Sequence, residues 1–216
     1  MSDLSTETHR RSRRRDARPG ELIDAAIDAF ADHGFAGVRL EDIARRAGVT
    51  KGTVYLYFAS KEELFEAAVR QTLMQSIARG QAVLRDFAGP TPELLAMVLT
   101  GWWHGVVQTK ASALAKIMCA DAGNFPALAR FYYDNVLDPG CRLQMRILER
   151  GIARGEFRPV PLKQTATFIV APFLFVQYHA HSFERVLDGV ALDHEGFLEN
   201  FIDFVLAALA PRERRP

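Results

Sequence analysis

Apolar residues recur every three or four positions through nearly all of the 216 residues, and no stretch alternates long enough to make a strand. A chain patterned this way hides one stripe on each helix, so it can only fold as helices packed on helices. An all-α protein of about nine helices is expected. The length admits one large domain, or a small one joined to a larger one. With 49% hydrophobic residues there is enough apolar surface for a core, which excludes a wholly disordered chain. No apolar run reaches the roughly 18 residues of a membrane span, and the N-terminus has no signal-peptide stretch. Cys119 and Cys141 are too few for a disulfide framework. A soluble protein of the reducing cytoplasm is expected.

The net charge of +1 says little about partners, but its distribution is uneven. Six arginines (Arg10, Arg11, Arg13, Arg14, Arg15 and Arg18) crowd residues 1–18, and Ala44 to Lys61 holds four cations and no acid. Basic charge confined to one end points to an anionic partner met there. A solvated tail with a chance gap in acids is the alternative.

Punctuation sets the element boundaries. Pro19 suits a first helical turn, and Leu22, Ile23, Ala26, Ile27 and Phe30 line one face until His33-Gly34. Short helices follow near Leu40–Ala47 and Lys51–Phe58, split by Gly48, with Thr50 able to cap the second. Ser60-x-x-Glu63 is a capping box that opens a long helix. Beyond Gly89-Pro90, helices are expected from Thr91 to about Thr109 and around Ser112–Ala122. Phe125–Asp138 and Pro139–Arg154 read as two helices, or one bent at the proline. Gly151, Gly155 and Pro159-x-Pro161 mark a loop before two apolar helices near Leu162–Leu187 and Asp193–Ala210.

Two short helices joined by Ala47-Gly48-Val49-Thr50 form a helix-turn-helix, whose second member suits the major groove of DNA. Val54 and Phe58 face inward, whereas Lys51, Thr53, Tyr55 and Tyr57 can face out and Gly52 allows close approach. Aromatic packing within a small domain is the competing role for both tyrosines.

The block Ile43-Ala44-Arg45-Arg46-Ala47-Gly48-Val49, followed by Tyr55-Leu56-Tyr57-Phe58 and Lys61-Glu62-Glu63-Leu64, resembles the DNA-binding domain of TetR/AcrR-type transcriptional regulators over about residues 18–68. The resemblance implies recognition-helix positions at Thr50, Lys51, Gly52, Thr53, Tyr55 and Tyr57, and a phosphate contact at Lys61. Thr50, Tyr57 and Lys61 suit phosphates; Lys51, Thr53 and Tyr55 suit base edges. Arg39 stands where that family usually has a capping Thr or Ser, so a side-chain cap is lost and a phosphate contact is offered instead. Four parts follow: a basic disordered arm at 1–18, a helix-turn-helix domain at 19–65, an effector-binding and dimerisation domain at 66–210, and a tail at 211–216. The arm either lies on DNA or stays in solvent.

The expected function is a sequence-specific DNA-binding transcriptional regulator, a repressor released from a palindromic operator by a small hydrophobic or aromatic effector. An effector-responsive activator, or a non-specific architectural DNA protein, is the alternative. Aromatic and polar residues mix at Trp102, Trp103, His104, Met118, Phe173, Gln177, Tyr178 and His181, which are the effector candidates beside the Pro172 bend. Core packing is the competing role for each. A homodimer through the last two helices is expected: the final one is apolar on two faces, which places Phe197, Phe201, Phe204 and Val205 at the interface. A wholly internal helix is the alternative there. No enzyme, cofactor or metal is expected. His179 and His181 sit two apart, the cysteines lack CxxC spacing, and there is no phosphate loop, nucleophile elbow or HExxH.

Overall fold

The structure, a computed structural model, describes residues 3–184 and 186–211, with side chains from Arg18 onward. Among these residues there are eleven α-helices and three π-helical segments, and no strand. Counting a run that passes through a π-helical turn as one, they make the nine helical stretches expected. The chain divides into two compact units between Val69 and Arg70.

The first unit holds α1 (Asp3–Gly37), α2 (Leu40–Arg46), α3 (Lys51–Tyr55) and α4 (Lys61–Val69). Helical backbone begins at Asp3, and α1 runs through residues 3–18; arginine is a good helix former. Contacts of the side chains before Arg18 lie outside the described residues. The expected stop at Gly34 is present inside α1 as a φ of 70° and ψ of 174°, a conformation that favours glycine. Leu22, Ala26 and Phe30 are fully buried on one face of α1, a helix that packs on α2 and α4. Phe30, Phe35 and Phe65 form the centre of this small core, with ring centroids 5.4–5.6 Å apart. The Ser60 capping box forms with one difference: Glu63 N–H donates to Ser60 Oγ (3.1 Å), while the Glu63 carboxylate accepts from Ala59 N–H (2.6 Å).

The second unit begins with a π-helical segment at Arg70–Met74 and α5 (Gln75–Asp86). Next come α6 (Thr91–Trp102) with a π-helical segment at Trp103–Val107, and α7 (Ser112–Asp121). Then α8 (Pro126–Tyr132), a third π-helical segment at Tyr133–Leu137 and α9 (Asp138–Ala153) follow without a break, before α10 (Leu162–Ser182) and α11 (His194–Leu209). α10 packs on α7 and α9, and α6 on α5, α9 and α11. The bend expected at Pro139 is therefore a π-helical turn just before it. Proline removes an N–H and crowds the carbonyl four residues back, and the wider turn absorbs that loss. Gly151, expected in a loop, lies inside α9. α10 stops at Ser182 rather than near Leu187, because Glu184 folds back to accept from Leu192 N–H (3.0 Å) and to meet His179 Nδ1 (3.1 Å).

Long-range polar clips hold the loops of this unit. Arg150 donates to Phe87 O (2.8 Å) and Gly89 O (2.7 Å), and Glu156 accepts from Thr91 N–H (2.9 Å) at the start of α6. That hydrogen bond from Thr91 holds the Glu156 carboxyl below its usual range, against an opposing effect of burial, with Arg154 and Arg150 adding to it. A carboxylate with a lowered folded value stabilises above the ordinary carboxylate range and loses that contribution as pH falls through the lowered value. Glu156→Gln is accordingly expected to be less stable than wild type at about pH 7, with the gap narrower at about pH 3, below the ordinary carboxylate range. Urea midpoints at the two pH values check this, and an unchanged gap would show that the charge contributes nothing.

Candidate nucleic-acid interface and ligand cavity

The turn of the helix-turn-helix depends on Gly48, whose φ of 65° places it in the left-handed region. Thr50 caps α3 as expected, its Oγ1 accepting from Thr53 N–H at 3.3 Å. Val54 is fully buried and Phe58 nearly so, and these two residues anchor α3 to its unit. That anchoring leaves Lys51, Gly52 and Tyr55 exposed on the opposite side, with Thr53 and Tyr57 half-buried between. Tyr55 keeps 49% of its surface open, and the Lys51 ammonium lies 5.6 Å from its ring centre. Lys51 is also paired with Glu41 of α2. The hydrogen bond between them lowers the pKa of Glu41 and raises that of Lys51. Both groups are exposed, so salt screens the pair and it binds Lys51 only loosely.

Arg39 is exposed at the start of α2, where an arginine side chain has no acceptor to offer as a cap. Asp42 supplies the other half of a capping box, accepting from Arg39 N–H at 3.1 Å. Lys61 is placed differently from a free phosphate contact. Its ammonium donates to Phe35 O (2.7 Å) and Val38 O (3.0 Å) and sits 4.4 Å from the Phe35 ring centre, tying α4 to the end of α1. Arg45 and Arg46 pair with Asp42 and Asp32. The basic stretch at 44–61, free of acids in the sequence, thus meets acids from α1 and α2 once folded.

In the second unit a cavity of about 70 Å³ opens among α5, α6, α9 and α10. Three of the expected effector residues line it: Trp102, Phe173 and Gln177. The other five do not. Trp103 is fully buried in an aromatic cluster, stacked on Phe197 at 5.7 Å and tilted against Phe173 at 5.9 Å. Met118 is buried without reaching the cavity, and His104 faces out and bonds Gln108. Tyr178 is exposed beside Phe183, and His181 Nε2 lies 2.6 Å from Ser112 Oγ. Helix period alone could not separate these two sets, since Trp102 and Trp103 are consecutive and point apart.

Sequence reasoning missed Tyr132, Val136, Cys141 and Gln144 in the cavity wall. A signal existed for one of them. Gln144 falls on the apolar stripe of α9 with Leu143, Ile147 and Leu148, where a carboxamide is out of place. The π-helical turns had no such signal. The one at Arg70–Met74 touches both of the others, and Tyr133–Leu137 supplies two residues of the cavity wall. Turns of this kind recur at functional sites.

The expected dimer residues are also divided. Phe197 and Phe201 pack on the core, Phe201 edge-on to Phe173 at 5.2 Å, and Val205 is buried. Only Phe204 faces out, 73% exposed. The inward face of α11 serves its own unit because Trp103 and Phe173 need a cover. Other outward aromatics lie on α10, at Phe168, Phe175 and Tyr178, a spacing that follows one side of the helix. Among the described residues no group of His, Cys, Asp or Glu is placed to hold a metal, and no helix is long and apolar enough to cross a membrane.

Comparison with known proteins agrees with this geometry. Residues 22–68 match the family model of bacterial regulatory proteins, tetR family. The HTH-type transcriptional regulator RutR of Escherichia coli (strain K12) is 44% identical over 81 residues, 38% of this chain and 38% of its own length. The match thus spans well under half of that relative. The HTH-type transcriptional repressor KstR2 of Mycobacterium tuberculosis is 28% identical over 144 residues, 66% of this chain and 70% of the repressor. Among solved structures, the fatty acid degradation regulator FadR from Bacillus halodurans superposes with a TM-score of 0.73 at 20% identity, covering 88% of this chain and 98% of that one. That likeness is one of fold: an N-terminal helix-turn-helix followed by a helical domain.

Proposed function

We propose, from a chain whose residues 22–68 form a regulatory domain of the bacterial tetR family, that it is a sequence-specific DNA-binding transcriptional repressor, dimeric and released from a palindromic operator by a small, mainly apolar effector. The observation that carries this reading is the split of α3. Val54 and Phe58 lock it down, while Lys51, Gly52, Thr53 and Tyr55 are left to enter a major groove. Lys51 exchanges Glu41 for DNA on binding, and Thr50, Tyr57 and Arg39 supply phosphate contacts. Lys61 contributes through the start of α4 rather than through its ammonium. The sign of regulation follows the KstR2 relative, which is named a repressor.

One helix-turn-helix reads only a few base pairs, so two must sit about 34–36 Å apart on one face of the duplex. Phe204 of α11, with Phe168 and Phe175 of α10, supplies the exposed apolar surface for pairing two copies. The cavity is the effector site. At about 70 Å³ it is far below the roughly 300 Å³ of small-molecule sites, so an effector must part its walls. That movement is the source of coupling, and by linkage effector and DNA weaken each other by the same factor.

Selection of duplexes by the full chain from a random pool tests the reading. A palindromic sequence bound roughly a thousandfold more tightly than random DNA is expected. Tyr55→Ala should then weaken the selected duplex about tenfold, roughly 1.4 kcal/mol, and leave random DNA nearly unchanged. A pool in which no sequence is enriched would overturn it.

A further inference from the structure

The cavity has a chemistry more specific than an apolar effector requires. No lining residue carries a formal charge. Two of them, Gln144 and Gln177, are carboxamides at 7% and 1% exposure. Both polar atoms of Gln177 and the oxygen of Gln144 are buried with no hydrogen-bond partner. Burying an amide unsatisfied is costly, and a chain that only needed to fill this space would place leucine or methionine there. Gln144 lies on the apolar stripe of α9 and Gln177 on that of α10, and the two helices pack together. Two unpartnered amides in the wall of one cavity, from two packed helices, make a polar locus inside an apolar shell.

The other polar groups do not change its character. Burial pushes the Tyr132 phenol well above its ordinary pKa, with Cys119 adding to the shift, so Tyr132 stays neutral. Ser76 Oγ accepts from Arg79 at 2.6 Å, and Arg79 itself is not among the lining residues. A carboxylate or phosphate would enter a space whose lining supplies no cation, with Arg79 standing behind Ser76, at a cost in desolvation.

Resting on the reading of this cavity as the effector site, we infer that its ligand is an uncharged, chiefly apolar molecule bearing a carboxamide-type donor and acceptor, held by Gln177 and Gln144. Gln177 presents a donor and an acceptor at once, and Gln144 a second acceptor. A primary amide or a lactam answers both; a hydrocarbon answers neither, and a fatty carboxylate brings a charge that no lining residue neutralises.

The test uses the full chain and two probes of equal length, hexanamide and hexanoate, with binding read from the fluorescence of Trp102 in the cavity wall. Saturable hexanamide binding at least tenfold tighter than hexanoate is expected. Gln177→Leu should cost hexanamide tenfold or more and abolish the preference, while thermal melting of the unliganded variant stays level or rises. Gln144→Leu should give a smaller loss in the same direction. Three outcomes would overturn the inference: equal affinity for the two probes, no saturable hexanamide binding, or both leucine variants within twofold of wild type. Hexanoate binding that vanishes in Arg79→Met would assign the ligand to an anion instead. Hexanamide that binds as expected, yet leaves affinity for the selected duplex unchanged, would leave this chemistry standing and overturn the effector reading.

Discussion

Replacing Phe35 by alanine should cost about 3–5 kcal/mol, the usual range for deleting a buried aromatic ring. Phe35 is fully buried and touches Phe30 and Phe65 at ring distances of 5.6 and 5.4 Å, so its loss opens a void that both neighbours border. Its face also carries the Lys61 ammonium, which bonds to Phe35 O and Val38 O. Without the ring, a half-buried cation loses its apolar platform at the junction of α1 and α4. A unit this small has little stability to spare, since domains are typically stable by only 5–15 kcal/mol. Urea unfolding followed by circular dichroism should register a large early loss of helix, together with loss of DNA binding. Trp102 and Trp103 both lie beyond residue 69, so their fluorescence reports the second unit separately. A shift below about 1 kcal/mol would mean the aromatic centre is not what holds this unit.

A second large effect has an unusual sign. Alanine normally stabilises a helix over glycine by about 1 kcal/mol, and Gly101, exposed on α6 with open space around it, should follow that rule. Gly151, inside α9, should do the opposite and lose about 1–3 kcal/mol on Gly151→Ala. A Cβ there would stand 2.1 Å from Phe157 Cδ2 and 2.6 Å from Cε2. The ring cannot retreat freely, because Phe157 is buried and its N–H, with that of Glu156, donates to Gly151 O at 3.0 and 2.9 Å. Glycine at 155, with a φ of 69°, allows the chain to reverse and press that ring onto α9. Comparing the two alanine variants in one unfolding assay isolates the packing effect. A gain in stability at position 151 would refute it.

These two glycines mark the limit of what a linear pattern conveys. Gly34 and Gly48 were legible as stops, because a positive φ is a local demand that glycine answers by itself. Gly151 resembled them in sequence, yet its purpose is to admit a ring six residues later. Thr50 as a cap and Val54 and Phe58 as anchors were equally legible, since each acts within a turn or two. Lys61 was not. Its partners, Phe35 O and Val38 O, lie 26 and 23 residues earlier, and no spacing rule links an ammonium to carbonyls at that range.

The all-helical class, the position of the helix-turn-helix and the residues that α3 leaves outward followed from periodicity and caps, which are near-neighbour effects. The cavity wall, the inward turn of Phe197, Phe201 and Val205, and the unpartnered amides of Gln144 and Gln177 came from packing between helices distant in the chain. A helix's pattern says how much of its surface must be covered. Which neighbour covers it, and which polar group is shut in as a result, depends on how the helices meet.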